Sequence, residues 1–393
     1  MKDSAEIYFV IHGLLLVSCV LSEVWNSNIQ IKNRIMFLWS LFFTLFAGFR
    51  WGIGTDWDQY YFHFTNCGFD NIFNHSRDYG GEGNLEWFYV LLNALVNELF
   101  GKFWIYNLLT SAFIQFSQFY IIKKLSPTRP LLFYCILMVG DTSYFAVRSQ
   151  LSTAIGLWCY YYLYCYYKSL NEYSPNSIFS LIKNKFILKS SFSWFLSFNV
   201  HHQSIVLLPL FIIGRIRLNW KLYILILCSG LVLIKIFQNY IILFASMLGG
   251  EVGDKALWYT DFITDGAGKA RGISSLLIYV FFSIMFLYVR KMQNLIQDNW
   301  YNTLLNGYLI WCFIYLIFSS GMNDLTRLAY QYNFARVLLM VNALVFFESY
   351  LKSKGLVFVL WLFYITYLIS RYLQLDSWYF FYDANVPYKT IFD

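Results

Sequence analysis

The stretch Ile7–Trp25, IYFVIHGLLLVSCVLSEVW, decides the class of fold. It is almost wholly apolar, and it is as long as the roughly 20 residues that a helix needs to cross a bilayer. Similar runs recur along the chain at 35–49, 103–122, 130–147, 151–167, 220–243, 273–289, 303–318, 329–347 and 356–372. The pattern predicts an all-α polytopic integral membrane protein.

The composition of the whole chain agrees with this fold class. Of its 393 residues, 59% are hydrophobic, 22% are aromatic and only 13% are charged. This composition is too hydrophobic and aromatic, and too poor in charge, for a disordered chain, a coiled coil or an ordinary cytosolic enzyme. No boundary of a soluble domain is evident, so we expect residues 1–393 to form one membrane-embedded domain.

Two further runs are interrupted by polar residues. Residues 84–100 contain Glu86, and residues 190–213 contain the adjacent His201 and His202. Irregular backbone at membrane depth is tolerated only against protein or a wet cavity, so we expect a cavity at the histidine pair. If both segments are re-entrant or interfacial, the chain has ten full spans and two broken segments. Twelve plain spans are the alternative.

Basic residues set the expected orientation. The chain carries a net charge of +7, and short loops rich in Lys and Arg stay on the cytoplasmic side of a membrane. With two re-entrant segments, the basic clusters fall inside, while the loops 50–83 and 247–272 and the tail 374–393 fall outside. The positive surplus therefore indicates membrane topology, and no nucleic-acid partner is expected.

The most distinctive segment follows the second run and reads RWGIGTDWDQYY from Arg50 to Tyr61. Two glycines free the backbone to leave the helix, and an arginine and two aspartates converge within a turn or two. One interpretation is a polar site in which Asp56 or Asp58 is a base or binds a hydroxyl, while aromatic rings stack on sugars. The other is an interfacial aromatic belt with an aspartate that caps the next helix.

Two later segments carry candidate chemistry. Arg148 opens a run whose first hydroxyl side chains share one helical face, and its place at the outer end runs against the positive-inside trend. Snorkelling to the headgroups is the alternative for this arginine. His201 and His202 are candidates for acid–base chemistry, although only one of the pair can readily face a given site. A structural histidine inside the bundle is the alternative.

A further cationic segment, NDLTRLAYQYNFAR, runs from Asn323 to Arg336. Arg327 is expected at the outer start of a span, and Arg336 roughly 13 Å deeper by helical rise. On one straight helix the two arginines point to opposite sides, so both can serve one site only if the helix bends. An ion pair of Arg336 with Glu98 or Asp141 is the structural alternative.

The cysteines suggest neither disulfides nor a metal site. Six of the seven lie in apolar runs, and Cys67 stands alone outside, without metal-ligand spacing. The sequence also has no Gly-rich phosphate loop after a strand and no His-Glu-x-x-His motif, so no metal and no cofactor is expected.

In chain order, these motifs resemble the EpsG-like polysaccharide polymerases, which belong to the wider set of Wzy-type O-antigen and capsule polymerases. The matching positions are Arg50, Gly54, Thr55, Asp56 and Tyr60, then Arg148 and Gln150, then His202 and Ser204, then Arg327 and Tyr330, then Pro387 and Tyr388. The pattern covers almost the whole chain, and the Gly-Thr-Asp block is its most specific part.

The resemblance implies a metal-independent, inverting glycosyltransferase of the glycosyltransferase-C-like type, in the bacterial inner membrane and facing the periplasm. It implies that undecaprenyl-diphosphate-linked repeat units are joined into O-antigen, capsular or exopolysaccharide. A chain-length regulator and a flippase in the same membrane are the implied partners. The residues expected to carry the reaction are Asp56, Arg148, His202 and Arg327. Those expected to bind substrate are Arg50, Thr55, Asp58, Tyr60, Gln150, Asp324, Tyr330 and Arg336.

In this interpretation, arginines stabilise the leaving diphosphate, since a planar guanidinium suits phosphate oxygens. Asp56 and His202 compete as the base, with Asp56 slightly favoured because it lies on the outer side. A lipid-linked oligosaccharide flippase or other transporter is the main alternative, because a broken helix with polar residues at midplane also fits alternating access. A ligase or membrane acyltransferase is the third.

Overall fold

The structure is a computed structural model, and it describes residues 6–25, 28–54, 56–76, 84–141, 145, 147–170, 184–230, 271–318, 323–351, 353–374 and 388–392. Helices dominate these residues, and extended backbone pairs there only in isolated bridges, Arg50 with Thr390 and Ser76 with Asn84. The all-α class predicted from the sequence is confirmed for the described part of the chain.

The helices have the following bounds. The α-helices are α1 (Glu6–Val24), α2 (Ile29–Gly48), α3 (Trp57–Asn66), α4 (Trp87–Phe100), α5 (Phe103–Leu125), α6 (Pro130–Asp141), α7 (Arg148–Leu170), α8 (Lys185–Phe198), α9 (Leu210–Ile213), α10 (Trp220–Gly230), α11 (Arg271–Met292), α12 (Asn299–Phe318), α13 (Asn333–Tyr350) and α14 (Lys354–Gln374). Short 3-10 helices lie at His202–Leu207, Leu295–Gln297 and Asn323–Tyr332.

The number of membrane spans is not confirmed. Among the described residues, two helices are long and apolar enough to cross a membrane by themselves, Ile7–Val24 and Asn299–Phe318. Others carry polar side chains along their length; α5, for example, buries Asn107, Gln115 and Gln118. These buried side chains face other parts of the protein. They lower the apolar content of the helix, but they expose no polar atoms to lipid. The predicted loop 247–272 lies almost wholly outside the described residues, and so does most of the tail 374–393.

The chain divides into two compact units. The first comprises Met1–Tyr166, Pro175–His202 and Leu344–Asp393, and the second comprises Tyr167–Ser174 and Gln203–Ala343. In the first unit, α6 is the central helix, since every side chain from Leu131 to Val139 is buried. A helix that is apolar all round must be enclosed, and α6 packs against α1, α2, α5 and α14.

A buried carboxylate joins these helices. Glu23, near the end of α1, is fully buried, and its Oε2 lies 2.6 Å from Nζ of Lys32 on α2. Its Oε1 accepts hydrogen bonds from the backbone N–H groups of Leu131 (2.9 Å) and Leu132 (3.1 Å). These N–H groups begin α6 and have no partner within that helix. Glu23 therefore caps α6 from another helix, with a negative charge at the positive end of the helix dipole.

Arg129 connects this network to α13 and α14. Its guanidinium donates to the backbone carbonyl of Glu23 and forms a fork with Glu348 of α13, Nη2 lying 2.8 Å and 3.0 Å from the two carboxylate oxygens. The same guanidinium lies over the ring of Trp361 on α14, 5.4 Å from its centroid. Every charge of this network has a partner inside the protein, as a medium of low dielectric requires.

The second unit is built around α12. Its Asn306 side chain donates to the carbonyls of Ile213 (2.7 Å) and Ile216 (2.8 Å). These two carbonyls, at the end of α9 and in the turn that follows, thereby gain hydrogen-bond partners. Gly214 in this turn lies so close to α12 that an added Cβ would be 2.2 Å from Oγ1 of Thr303 and 2.7 Å from the carbonyl of Asn299. A glycine is required there by space, since its φ is an ordinary −64°.

We expect Glu23→Ala to destabilise the protein by about 3–5 kcal/mol, because removing one member of a buried ion pair leaves the remaining charges without compensation. Lys32 and the start of α6 would lose their carboxylate partner, whereas Arg129 would keep Glu348. The measurement is thermal and denaturant unfolding of the purified protein in detergent. Glu98→Ala is the matched control, since this glutamate is exposed on α4. Equal stability of the two variants would contradict the capping role of Glu23.

Candidate functional site

Glu86 forms hydrogen bonds with two of the residues predicted from the sequence to be catalytic, Arg148 and His202. It precedes α4, and its side chain is 1% exposed. Its Oε2 accepts a hydrogen bond from Nη1 of Arg148 at 2.8 Å, and its Oε1 accepts one from the backbone N–H of His202 at 3.0 Å. The structure thus brings Arg148 and His202 together in the first unit, through a residue that sequence reasoning noted only as a polar interruption.

The break at the histidine pair positions this cluster. Helix α8 ends at Phe198, and the 3-10 helix begins at His202, so the interruption predicted from the sequence is present. The backbone N–H of Tyr89, in the first turn of α4, donates to the carbonyl of Asn199 at 3.2 Å. The start of α4 and the end of α8 therefore satisfy each other's free backbone groups.

The charges of the cluster are complementary. Nη1 of Arg148 lies 2.8 Å from Oε2 of Glu86, and the two groups form an ion pair. The guanidinium also lies 5.6 Å from the ring centroid of Tyr89, which restricts its orientation.

The two nominated side chains keep capacity for a further partner. Nε of Arg148 is buried and has no hydrogen-bond partner among the described residues. The His202 side chain is 59% exposed, with Nδ1 3.7 Å from Oε1 of Glu86, and its ring packs on Phe198. The cluster thus offers an oriented cation beside an accessible imidazole, and Gln150 lies buried in the same first turn of α7.

The segment after α2 forms a second part of the first unit. Arg50 is buried, and its guanidinium lies over the ring of Phe145 at 4.9 Å. A Cβ on Gly54 would lie 3.4 Å from Nη1 of this arginine, and the φ of Gly54 is +114°. Both the close approach and the backbone conformation favour glycine.

The predicted aspartates lie at the start of α3. Asp56 occupies the N-cap position but makes no capping hydrogen bond through its side chain. The predicted N-cap position of Asp56 is therefore confirmed, but the capping hydrogen bond of its side chain is absent. Asp58 is exposed in the first turn of the same helix, Tyr60 is half-buried, and Thr55 lies outside the described residues.

The C-terminal segment packs against this region. Backbone N–H of Trp51 donates to Lys389 at 3.0 Å, and N–H of Ile391 donates to Phe49 at 3.0 Å. The ring of Tyr388 stacks on Phe46 at 4.4 Å. The two ends of the motif series, Arg50 and Tyr388, are therefore neighbours in the fold, while Pro387 lies outside the described residues.

The remaining nominated residues lie in the second unit. Arg327 and Tyr330 are on the 3-10 helix Asn323–Tyr332, whereas Arg336 is on α13; the side chain of Asp324 lies outside the description. Because the helix type changes at 332–333, Arg327 and Arg336 do not lie on one straight α-helix. Arg336 is buried, with its guanidinium 4.7 Å from the ring centroid of Trp311. Nε2 of Gln331 donates to Oγ of Ser204 at 3.0 Å, so two motif segments meet here.

Within the described residues, no group of three or more His, Cys, Asp or Glu side chains could hold a metal ion. The buried pair His63 and His75 is joined ring to ring at 3.1 Å.

Comparison with known proteins gives a family and no individual relative. The profile of the EpsG family matches residues 33–174 and 177–390, which is most of the chain. No curated protein and no solved structure matches the chain. Membership of this family indicates a membrane protein of polysaccharide biosynthesis that acts as a polymerase of the glycosyltransferase type. On the extent of this match, the chain belongs to the EpsG family.

Proposed function

We propose that this chain polymerises undecaprenyl-diphosphate-linked oligosaccharide repeats by metal-independent, inverting glycosyl transfer at the periplasmic face of the bacterial inner membrane. The product is an O-antigen, capsular or exopolysaccharide. Family membership supports the class of reaction. The observation that carries the chemistry is Arg148, a cation oriented by a buried carboxylate, with a buried N–H still without a hydrogen-bond partner in the described part of the chain.

In the proposed reaction, a hydroxyl of the acceptor repeat attacks the anomeric carbon of the donor glycan. The bond from this carbon to the diphosphate oxygen breaks as the new glycosidic bond forms, and direct displacement inverts the carbon. The hydroxyl proton passes to a base of the protein, and undecaprenyl diphosphate leaves as an anion. The reaction therefore needs a cation at the leaving group and a base at the acceptor.

Arg148 is our first choice for the leaving group. A guanidinium has five N–H donors, and Glu86 engages Nη1 at 2.8 Å. A fixed fork of donors suits a diphosphate, and preorganised donors cost no reorganisation during reaction. Glu86 is then a positioning residue, which holds Arg148 and the backbone of His202. Arg327 is the second proposed cation, and Arg50, Arg336 and the other nominated polar residues are proposed to bind substrate.

Asp56 and His202 remain the two candidates for the base. The carboxylate of Asp56 is half-buried and is not used to cap α3. The imidazole of His202 is largely exposed while its backbone is fixed by Glu86. Both arrangements leave a proton-accepting group accessible to a hydroxyl.

We expect Arg148→Ala to reduce elongation by at least about 10²-fold, because one preorganised donor group for a developing anion has this effect. Arg148→Lys should fall between this variant and the unsubstituted protein, since lysine keeps the charge and loses the fork. The measurement is the ladder of products formed by purified protein from lipid-linked repeats, with a metal chelator present. Arg217→Ala, at an exposed arginine, is the control. Long polymer from Arg148→Ala would remove Arg148 from the site, and transport of the substrate without elongation would favour a flippase.

We expect Glu86→Gln to lower the maximal rate by up to about 10²-fold, as for a misplaced reacting group, with the half-saturating substrate concentration little changed. Glutamine keeps an acceptor for the N–H of His202 but loses the charge that holds Arg148. The double variant Glu86→Gln, Arg148→Ala should be no slower than Arg148→Ala alone, because the two residues act as a unit. Fully additive losses would argue against positioning through Arg148.

Cysteine labelling tests the proposed orientation. In a background where the exposed Cys228 is serine, we expect an impermeant maleimide to label Phe73→Cys in the outer loop of intact cells with a permeabilised outer membrane. Thr128→Cys and Lys185→Cys, at exposed positions next to basic clusters, should react only after the inner membrane is opened. Labelling of either of these two from outside would overturn the model of two re-entrant segments.

A further inference from the structure

A cavity of about 420 Å³ opens in the first unit beside the segment that follows α2. Five aromatic rings line it: Trp51, Tyr61, Phe64, Phe103 and Trp104. Its size is in the range of pockets that enclose small organic ligands. Among the described residues, none of those predicted to carry the glycosyl-transfer step lines this cavity.

The aromatic walls are fixed by one another. Trp57 stacks on Tyr61 with ring centroids 5.2 Å apart and planes within 7°, and it meets the edge of Trp51 at 5.1 Å. Phe103 packs against Trp51, Trp57 and Tyr61 at 6.4, 5.9 and 5.6 Å. Such a cluster holds rings in place before any ligand arrives, which lowers the entropy lost on binding.

Polar side chains complete the lining. The cavity also contains Thr65, Asn97 and Lys102. The amide of Asn97 is oriented by a hydrogen bond to the carbonyl of Cys67 at 3.3 Å. Lys102 lines the cavity and is also exposed to solvent. One wall comes from Ile391, in the C-terminal segment that pairs with Phe49 and Trp51.

We propose that this cavity binds a saccharide of the lipid-linked substrate. The inference rests on the proposed polymerase function and deepens it, because it locates the glycan apart from the diphosphate. A sugar ring has apolar C–H faces that pack on aromatic rings and hydroxyl edges that need donors and acceptors. The lining supplies both, whereas a prenyl chain makes no hydrogen bonds and would use only the aromatic surface. Of the aromatic residues in the segment from Arg50 to Tyr61, Trp51 and Tyr61 line the cavity, and Trp57 stacks on Tyr61.

The test compares three variants of the full chain in the elongation assay, with lipid-linked repeats extracted from the source bacterium at varied concentration. Trp104→Ala should raise the half-saturating concentration by roughly tenfold, which is the loss expected for one well-placed aromatic contact. Lys102→Ala should raise it by a few-fold, with the maximal rate of both variants kept to within about twofold, since only binding is removed. Phe73→Ala is the matched control, because this aromatic residue of the predicted loop 50–83 is 70% exposed and does not line the cavity.

A competition experiment separates the sugar from the lipid. The free oligosaccharide, released from the repeats by mild acid, should inhibit elongation by the unsubstituted protein more strongly than elongation by Trp104→Ala. Undecaprenyl phosphate should inhibit both equally. The reverse pattern would assign the cavity to the prenyl chain and overturn the proposal.

Thermal unfolding of each variant controls for misfolding. If Trp104→Ala melts early, Lys102→Ala decides, because its exposed side chain is not part of the packing. Unchanged half-saturation in Lys102→Ala and in a folded Trp104→Ala, with normal elongation by the unsubstituted chain, would overturn the saccharide site alone. Absence of elongation by the unsubstituted chain would overturn the polymerase function, and this inference with it.

Discussion

Buried carboxylates that bind the starts of helices are the constraint on which the first unit depends. Glu23 closes the N-terminus of α6, and Glu86 binds the backbone that begins the 3-10 helix after the break. Each also neutralises a cation on another helix, Lys32 of α2 in one case and Arg148 of α7 in the other. In surroundings of low dielectric, a free N–H group and an unpaired charge are both costly. One acidic side chain resolves both costs at once, which explains why so few charges suffice for this fold.

The same solution serves different ends at the two carboxylates. Around Glu23, the cation Arg129 is also bound by both oxygens of Glu348 and covered by Trp361. At Glu86, Arg148 is held through one nitrogen, beside an exposed imidazole. The first arrangement locks helices together. The second orients a cation and leaves it room for an anion, which is the arrangement that our proposed reaction uses.

The sequence predicted local features well and distant contacts poorly. The helices, the break at His201 and His202 and the turn at Gly54 follow from apolar periodicity, clustered polar residues and glycine, all of which act over a few neighbours. The contact of Glu86 with Arg148 joins residues 62 positions apart, and a single sequence carries no signal for such pairing. A carboxylate next to an apolar run was the available hint, because a buried acid needs a partner. The stacking of Tyr388 on Phe46, and the ring of Trp311 beneath Arg336, were hidden for the same reason.

The number of hydrogen-bond acceptors around each arginine separates structural from functional arginines more sharply than the position of the residue in the sequence does. Arg129 and Arg290 both have backbone or side-chain acceptors on two of their terminal nitrogens, and neither lies at a motif of the family resemblance. Arg148 has one acceptor and a buried Nε without any among the described residues. Buried donors without partners are rare in native proteins and call for an explanation. An anionic group of the substrate would supply the missing acceptor, and Glu86, by fixing the other side of the guanidinium, would keep the remaining donors aimed at it.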